Sequence, residues 1–397
     1  MKYAISICFI IITSYCINAE CLDYKNNNSQ NEIHKFLKQQ FDIWRKIGIT
    51  NEMLKMAFDD LPEEVKKHFY LMRIQIVDNK LYAACAVSNY TCTDPRERPI
   101  LKAINKILKN YTIPNIDFII TLHDELHHHD NPKYEKIFIS VPMFLMSKDS
   151  SSIKESKFLL LPDIYMLSEE GNNWLNLMKN IEHHSYKEPW NKKQEKIYWR
   201  GSSTGGTYNL NNYHKLPRLT LVMLSKSYPD LIDARFNNLA QFSNDQSGHD
   251  LKTVINLLFD NNSFFVNPTY HLKYKYLISI DGNTASWYRI PWILFSNSVL
   301  LKQDSSNIQW FYSAIKPYVH YIPLKKDLSD IFEKITWLKN NDKKAQQISI
   351  NATNFVKENL TPEKIDQHIV VILKEYFTLQ KFSLKQPRVP MVNFVEQ

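Results

Sequence analysis

Strand-like and helix-like segments alternate through the second half of the chain, and that order leaves few ways to fold it. Residues 196–199 read as a strand, 217–226 as a helix, 231–234 as a strand and 251–259 as a helix. The alternation continues with a strand at 274–280, a helix at 286–295 and strands at 298–302 and 319–323. Such an order predicts parallel strands with helices on both faces. In the first half, Phe36, Phe41, Trp44 and Ile47, then Met53, Leu54, Met56 and Phe58, recur at helical spacing, with Gly48 and Thr50 as stop and N-cap. Residues 73–77 and 80–82 suggest a hairpin, and the apolar runs 117–122, 137–141 and 158–162 predict a buried sheet. A helix near 174–181 precedes a polar crossing at 183–195, and helices at 328–340, 343–359 and 362–380 close the chain. At 397 residues this is enough for two cores. The expectation is a two-lobed α/β protein with a cleft where ligands bind.

The formal charge of +8 comes from 49 basic and 41 acidic residues interleaved along the chain. No Lys/Arg block is present to track a nucleic-acid backbone, so nucleic acid is not an expected partner. Lys2, the apolar run 4–12 and Ile17-Asn18-Ala19 read as a secretory leader over residues 1–19. No later stretch approaches the roughly 20 apolar residues of a membrane span, so none is expected after cleavage. Of five cysteines, Cys8 and Cys16 would leave with the leader. In an oxidising compartment Cys85 and Cys92 would close a short loop, leaving Cys21 spare. Sequons at Asn27, Asn89, Asn110, Asn261, Asn351 and Asn359 fit a secreted glycoprotein, although an Asn-rich chain carries some by chance.

Only 7 glycines occur, yet Gly201, Gly205 and Gly206 follow one strand and Gly282 ends another. Glycines at a strand-to-helix turn let backbone N–H groups approach a diphosphate; tight turns with positive φ are the alternative reading. Neither G-x-G-x-x-G nor G-x-x-x-x-G-K follows a strand, which removes the dinucleotide and ATP fingerprints. Arg200, Arg218 and Arg289 flank these turns, and a guanidinium can do for a phosphate what a divalent metal does elsewhere. The stretch 121–130, Thr-Leu-His-Asp-Glu-Leu-His-His-His-Asp, leaves the carboxyl end of a predicted strand, where a carboxylate could serve as general base. Three consecutive histidines do not aim at one metal, so 127–129 read as a solvated loop, and His183-His184 as a surface pair. The absence of G-x-S-x-G and H-E-x-x-H argues against common hydrolases.

Ordered blocks then carry a resemblance: Trp199-Arg200-Gly201-Ser202, the helix after Arg218, Tyr274 through Ser286 with Arg289, 297–302 and 318–324. Together, over about 73–377, they resemble the capsule-associated glycosyltransferases, glycosyltransferase family 90, which include the Rumi protein O-glucosyltransferases. The resemblance implies a GT-B fold of two Rossmann-like domains facing a central cleft, an acceptor-side domain over 20–190 and a nucleotide-sugar domain over 191–360. The C-terminal helix at 361–380 is expected to pack back on the first domain. It implies inverting transfer of glucose or xylose from a UDP-sugar co-substrate to a serine of folded secreted proteins such as epidermal-growth-factor-like repeats, with no metal or other cofactor. Asp124 matches the catalytic aspartate. Arg200, Gly201, Ser202, Arg218, Gly282, Asn283, Thr284, Ala285, Ser286 and Arg289 match the donor side. The Cys85–Cys92 loop, closed by a disulfide, and Pro162-Asp163 match the acceptor side. The turn from Gly282 to Arg289 is one residue longer than in the Rumi proteins, a departure that bears on Arg289. The expected location is the secretory pathway, either the endoplasmic reticulum lumen or the outside, and the final Asn-Phe-Val-Glu-Gln, which lacks the retention tetrapeptide of many relatives, argues against residence in the reticulum. A polysaccharide or glycolipid acceptor, or a non-catalytic lectin-like role, are the alternatives.

Overall fold

The computed structural model describes residues 29–124, 132–168, 173–258, 266–388 and 391–394. The expected leader, Cys21, the histidines 127–129 and the sequons at Asn27 and Asn261 lie outside the described residues.

Two sheets form the frame. The first is mixed, with order β13-β2-β1-β3-β4-β6. Its strands are β1 (Leu71–Val77), β2 (Lys80–Cys85), β3 (Ile116–Thr121), β4 (Phe144–Leu145), β6 (Leu159–Leu160) and β13 (Val392–Asn393). β1 runs antiparallel to β2, the hairpin that residues 73–77 and 80–82 suggested, and also antiparallel to β3, so the sheet of this half is not parallel throughout. The cause is local. Asp78 and Asn79 both take positive φ, 50° and 60°, the turn that matches the twist of a two-residue hairpin. A second correction concerns 137–141: the chain forms a helix at Pro132–Phe138 instead of a strand. Tyr134, Ile137 and Phe138 share a helical face toward the core, with Phe138 edge-on to Phe69 at 4.9 Å. β4 takes the place beside β3.

The second sheet is parallel throughout, with order β12-β10-β9-β7-β8. It comprises β7 (Gln194–Ser202), β8 (Ile232–Asn238), β9 (Tyr274–Ser279), β10 (Val299–Gln303) and β12 (Ile322–Leu324). The chain leaves β7 toward β8 on one side and returns to β9 on the other, so the topological switch point lies between β7 and β9. Ligands of open parallel sheets sit outside the carboxyl ends of strands at such a point.

The helix expected near 174–181 runs over Trp174–Lys187, so His183 and His184 lie on its last turns and the crossing is shorter than expected. Helix Pro362–Leu379 returns to the first sheet, where Tyr376 packs on Phe118 and Phe144 at 6.1 and 5.6 Å. One cluster of buried side chains runs from Ile74 and Phe118 through Trp292 and Phe355 to Tyr198, Leu277 and Leu300. A two-stranded ribbon, β5 (Lys148–Asp149) with β11 (Asn307–Ile308), also joins the halves. The architecture is α/β of the GT-B type, two sheets flanking a cleft. No helix among the described residues is long and apolar enough to cross a membrane.

Candidate active site

The carboxyl ends of β7 and β9 open into a cleft of about 360 Å³, within the roughly 300–1,000 Å³ range of small-molecule sites. Its walls include Arg200, Thr204, Arg218, His271 and every residue from Gly282 to Arg289, with Asp124 and Tyr165 facing from the first sheet. A second cavity of about 300 Å³ is walled by Tyr70, Arg96, Leu122, His123, Ile164 and the same Asp124, Tyr165, Asn283 and Trp287. Asp124, three residues past the end of β3, therefore stands where the two cavities meet.

The glycines are there for close approach. Gly205 has φ of +94°, and a Cβ on it would lie 3.1 Å from the Gly282 carbonyl oxygen. A Cβ on Gly282 would stand 2.7 Å from Thr204 Oγ1 and 2.9 Å from Arg218 Nη2. The two turns are thus packed backbone to backbone, with Arg218 between them. Its Nε donates to the Asp281 carbonyl at 3.0 Å and Nη2 to that of Ile280 at 3.0 Å. Nη1 donates to the Ser202 carbonyl at 2.8 Å and to Thr204 Oγ1 at 2.6 Å. Among the described residues four of its five N–H groups are committed, which leaves one for a ligand. Ser202 enters the site through this carbonyl.

Arg289 opens helix Arg289–Phe295 and differs sharply. The one hydrogen bond of its guanidinium among the described residues runs from Nη2 to the Arg200 carbonyl at 2.9 Å. Burial pushes its pKa down to about 10, and the neighbouring Arg218 pushes the same way. Both guanidinium groups lie over the buried Trp199 ring, at 5.7 and 6.0 Å. Two cations side by side without a paired carboxylate among the described residues make a pocket that favours an anion. Arg200 is the exception, since it is ion-paired with Asp233 at 2.8 Å. Gly201 sits within β7, where a Cβ would meet the Trp199 ring at 2.5 Å. His271 is held neutral, its pKa pushed to about 3 by burial and then by Arg289 and Arg200.

In the 282–289 turn, Asn283 Oδ1 accepts from Gly205 N at 3.2 Å. Ser286 Oγ donates to the Ile280 carbonyl at 2.9 Å. Thr284 Oγ1 bonds Ser147 Oγ at 2.7 Å, and Ala285 is buried beside it. The helix expected from 286 starts at Arg289 because these side-chain bonds hold 282–288 as an irregular turn.

In the second cavity's half of the molecule, Cys85 and Cys92 form a disulfide. The chain beyond it delivers Arg96, whose guanidinium lies 4.5 Å from the Tyr70 ring centre. Pro162 and Asp163 are both buried and are not among the residues that wall either cavity. Asp163 is buried as the N-cap of helix Ile164–Leu167, accepting from Tyr165 N and Met166 N at 3.0 and 3.1 Å. Burial pushes its pKa up to about 7. Tyr165, two residues on, borders both cavities and stacks near Tyr288 at 4.6 Å. Tyr165, Tyr70, Arg96 and Ser147 escaped the sequence reading. For Tyr165 the one available signal was its nearness to Pro162-Asp163.

Zebrafish protein O-glucosyltransferase 2 is 34% identical over 191 residues, 48% of this chain and 34% of that protein. Human protein O-glucosyltransferase 1 is 25% identical over 374 residues, 93% of this chain and 86% of that one. The chain thus spans about a third of the length of the zebrafish relative. Among solved structures, Anabaena HepE in complex with UDP and glucose aligns at a TM-score of 0.41 and 10% identity, over 70% of this chain and 75% of that one. The sequence model of Glycosyl transferase family 90 matches residues 25–393, and the chain belongs to that family.

Proposed function

We propose that the chain is an inverting, metal-independent transferase of the secretory pathway that moves glucose or xylose from a UDP-sugar to a serine hydroxyl of a folded secreted protein. The observation that carries this reading is the position of Asp124 between an arginine-lined cleft at a switch point and a second, aromatic-walled cavity. A nucleotide diphosphate fits the first, where Arg289 and the free N–H of Arg218 would meet its oxygens. The acceptor fits the second, between Tyr70, Tyr165 and Trp287.

The chemistry is one displacement. The acceptor hydroxyl oxygen bonds to the anomeric carbon while the bond from that carbon to the phosphate oxygen breaks, and UDP leaves with the electron pair. Asp124 takes the hydroxyl proton as general base. The two guanidinium groups stabilise the charge gathering on the leaving diphosphate in a partly dehydrated site, the positive charge a divalent cation supplies elsewhere. The Cys85–Cys92 disulfide supports an oxidising compartment, the endoplasmic reticulum lumen or the outside. The relatives named protein O-glucosyltransferase support a protein acceptor.

The test is incubation with labelled UDP-glucose and UDP-xylose, with and without a folded epidermal-growth-factor-like repeat. Label on a serine of the repeat is the expected result. Label on glycan or lipid alone would replace the acceptor and keep the donor, and no UDP release with any sugar would overturn the reading.

A further inference from the structure

The nucleotide turn is held from behind by the other half of the molecule. Just after β4, Ser147 is almost fully buried, and its Oγ bonds Thr284 Oγ1 at 2.7 Å and accepts from Ala285 N at 3.4 Å. These partners lie 137 and 138 residues away and are themselves buried. The grip continues along the chain. Lys148 and Asp149 pair with Ile308 and Asn307, and Ser150 N and Oγ both reach the Ser306 carbonyl, at 2.8 and 2.7 Å. Asn307 Nδ2 in turn donates to Asp281 Oδ2, at the start of the same turn, at 3.3 Å. Residues 147–150 therefore brace the 281–285 turn at two points, and they come from the half that carries Asp124.

We propose that Ser147 is a positioning residue for the nucleotide: its hydroxyl, through Thr284 and Ala285, presets the turn against which the diphosphate binds. This rests on the reading of the cleft as the UDP-sugar site. Ser147 touches no reacting atom. Without its hydroxyl the Thr284 hydroxyl loses its buried partner, and the turn must be ordered by the ligand at the cost of affinity. The loss falls on nucleotide binding and leaves the transfer step, run by Asp124, close to its ordinary rate.

Calorimetric titration of UDP into the full chain tests this with Ser147→Ala, the near-isosteric Thr284→Val, the double variant and the conservative Thr284→Ser. Each hydroxyl deletion removes the buried Ser147–Thr284 hydrogen bond and is expected to weaken UDP binding about ten-fold or more. The donor KM should rise in step while kcat stays within about three-fold. The double variant should bind as weakly as Ser147→Ala alone, because that change already removes the bonds to both Thr284 and Ala285, and Thr284→Ser should bind like the wild type. UDP affinity unchanged in Ser147→Ala and Thr284→Val, or losses that add in the double variant, would overturn the proposal. If Ser147→Ala does not fold, the contrast between Thr284→Val and Thr284→Ser decides. A wild type that binds no UDP removes the reading of the cleft itself, a result visible before any variant is compared.

Discussion

Asn283 Nδ2 donates to Asp124 Oδ2 across the cleft at 3.4 Å, with the amide oxygen of Asn283 already accepting from Gly205 N. Because that N–H can only donate, the amide is oriented with its NH2 toward the carboxylate. Both turns of the nucleotide side are thereby registered on the proposed base. Asp124→Asn keeps the shape and removes the basic oxygen. Its transfer rate should fall about 100-fold or more, with UDP affinity within about three-fold of wild type. Single-turnover assays and titration of the same preparation check it; a variant that keeps a tenth of wild-type turnover rules the assignment out.

The two arginines should separate when mutated. The Arg289 guanidinium has one hydrogen-bond acceptor among the described residues, so Arg289→Ala should weaken UDP binding by about ten-fold or more and leave the denaturation midpoint nearly unchanged. Arg218 ties four acceptors together, three of them backbone carbonyls. Arg218→Ala should cost about 3 kcal/mol or more of folding stability, because buried acceptors lose their donors. Urea unfolding beside UDP titration reads both effects. Equal stability losses for the two variants would contradict the distinction.

Gly282→Ala should abolish UDP binding while the protein stays folded. The added methyl would press on Thr204 Oγ1 and Arg218 Nη2, displacing the arginine from the turn it organises. Circular dichroism with UDP titration checks the pair of outcomes.

Asp163 sets a pH dependence with a definite sign. Its carboxyl holds its proton up to about pH 7 in the folded protein, whereas an unfolded aspartate loses it near pH 3.9. The folded state therefore binds more protons between these values, so the contribution is full below about 3.9 and is lost as pH rises toward 7. Asp163→Asn keeps an oxygen for the Tyr165 and Met166 amides and cannot ionise. Its stability relative to wild type should rise between pH 4 and pH 7. Denaturation midpoints at pH 4, 5.5 and 7 test it, and a constant difference across them contradicts it.

Sequon use should follow burial. Asn359 is 1% exposed, accepting from Gln30 Nε2 and donating to the Phe355 carbonyl. Asn110 is exposed at the end of helix Arg98–Asn110. In protein secreted from eukaryotic cells, Asn110 should carry glycan and Asn359 none, since a glycan cannot be buried. Glycopeptide mass spectrometry decides, and an occupied Asn359 in folded protein would refute it.

The alternation after Lys196 was legible because the strand runs are rich in β-branched and aromatic residues and are bounded by turn residues, a local pattern that survives folding. The hairpin turn at Asp78-Asn79 was half visible. The sequence suggested the reversal, yet the antiparallel pairing with β3 depends on a partner some forty residues on. Residues 137–141 show the limit. Five apolar and small residues fit a strand or a helix equally, and only packing against Phe69 decides.

The sequence by itself determined the parallel second sheet, the placement of scarce glycines at its strand ends, and the ordered blocks that mark the family, because all of these are properties of neighbours in the chain. Only the tertiary structure decided which side chains share the site. Arg218 became a brace and Arg289 the less committed cation, Asp163 withdrew into a helix cap while Tyr165 came forward, and Ser147 reached Thr284. Each of those outcomes depends on contacts between segments far apart in sequence, and the geometry of such contacts exists only once the cores have packed.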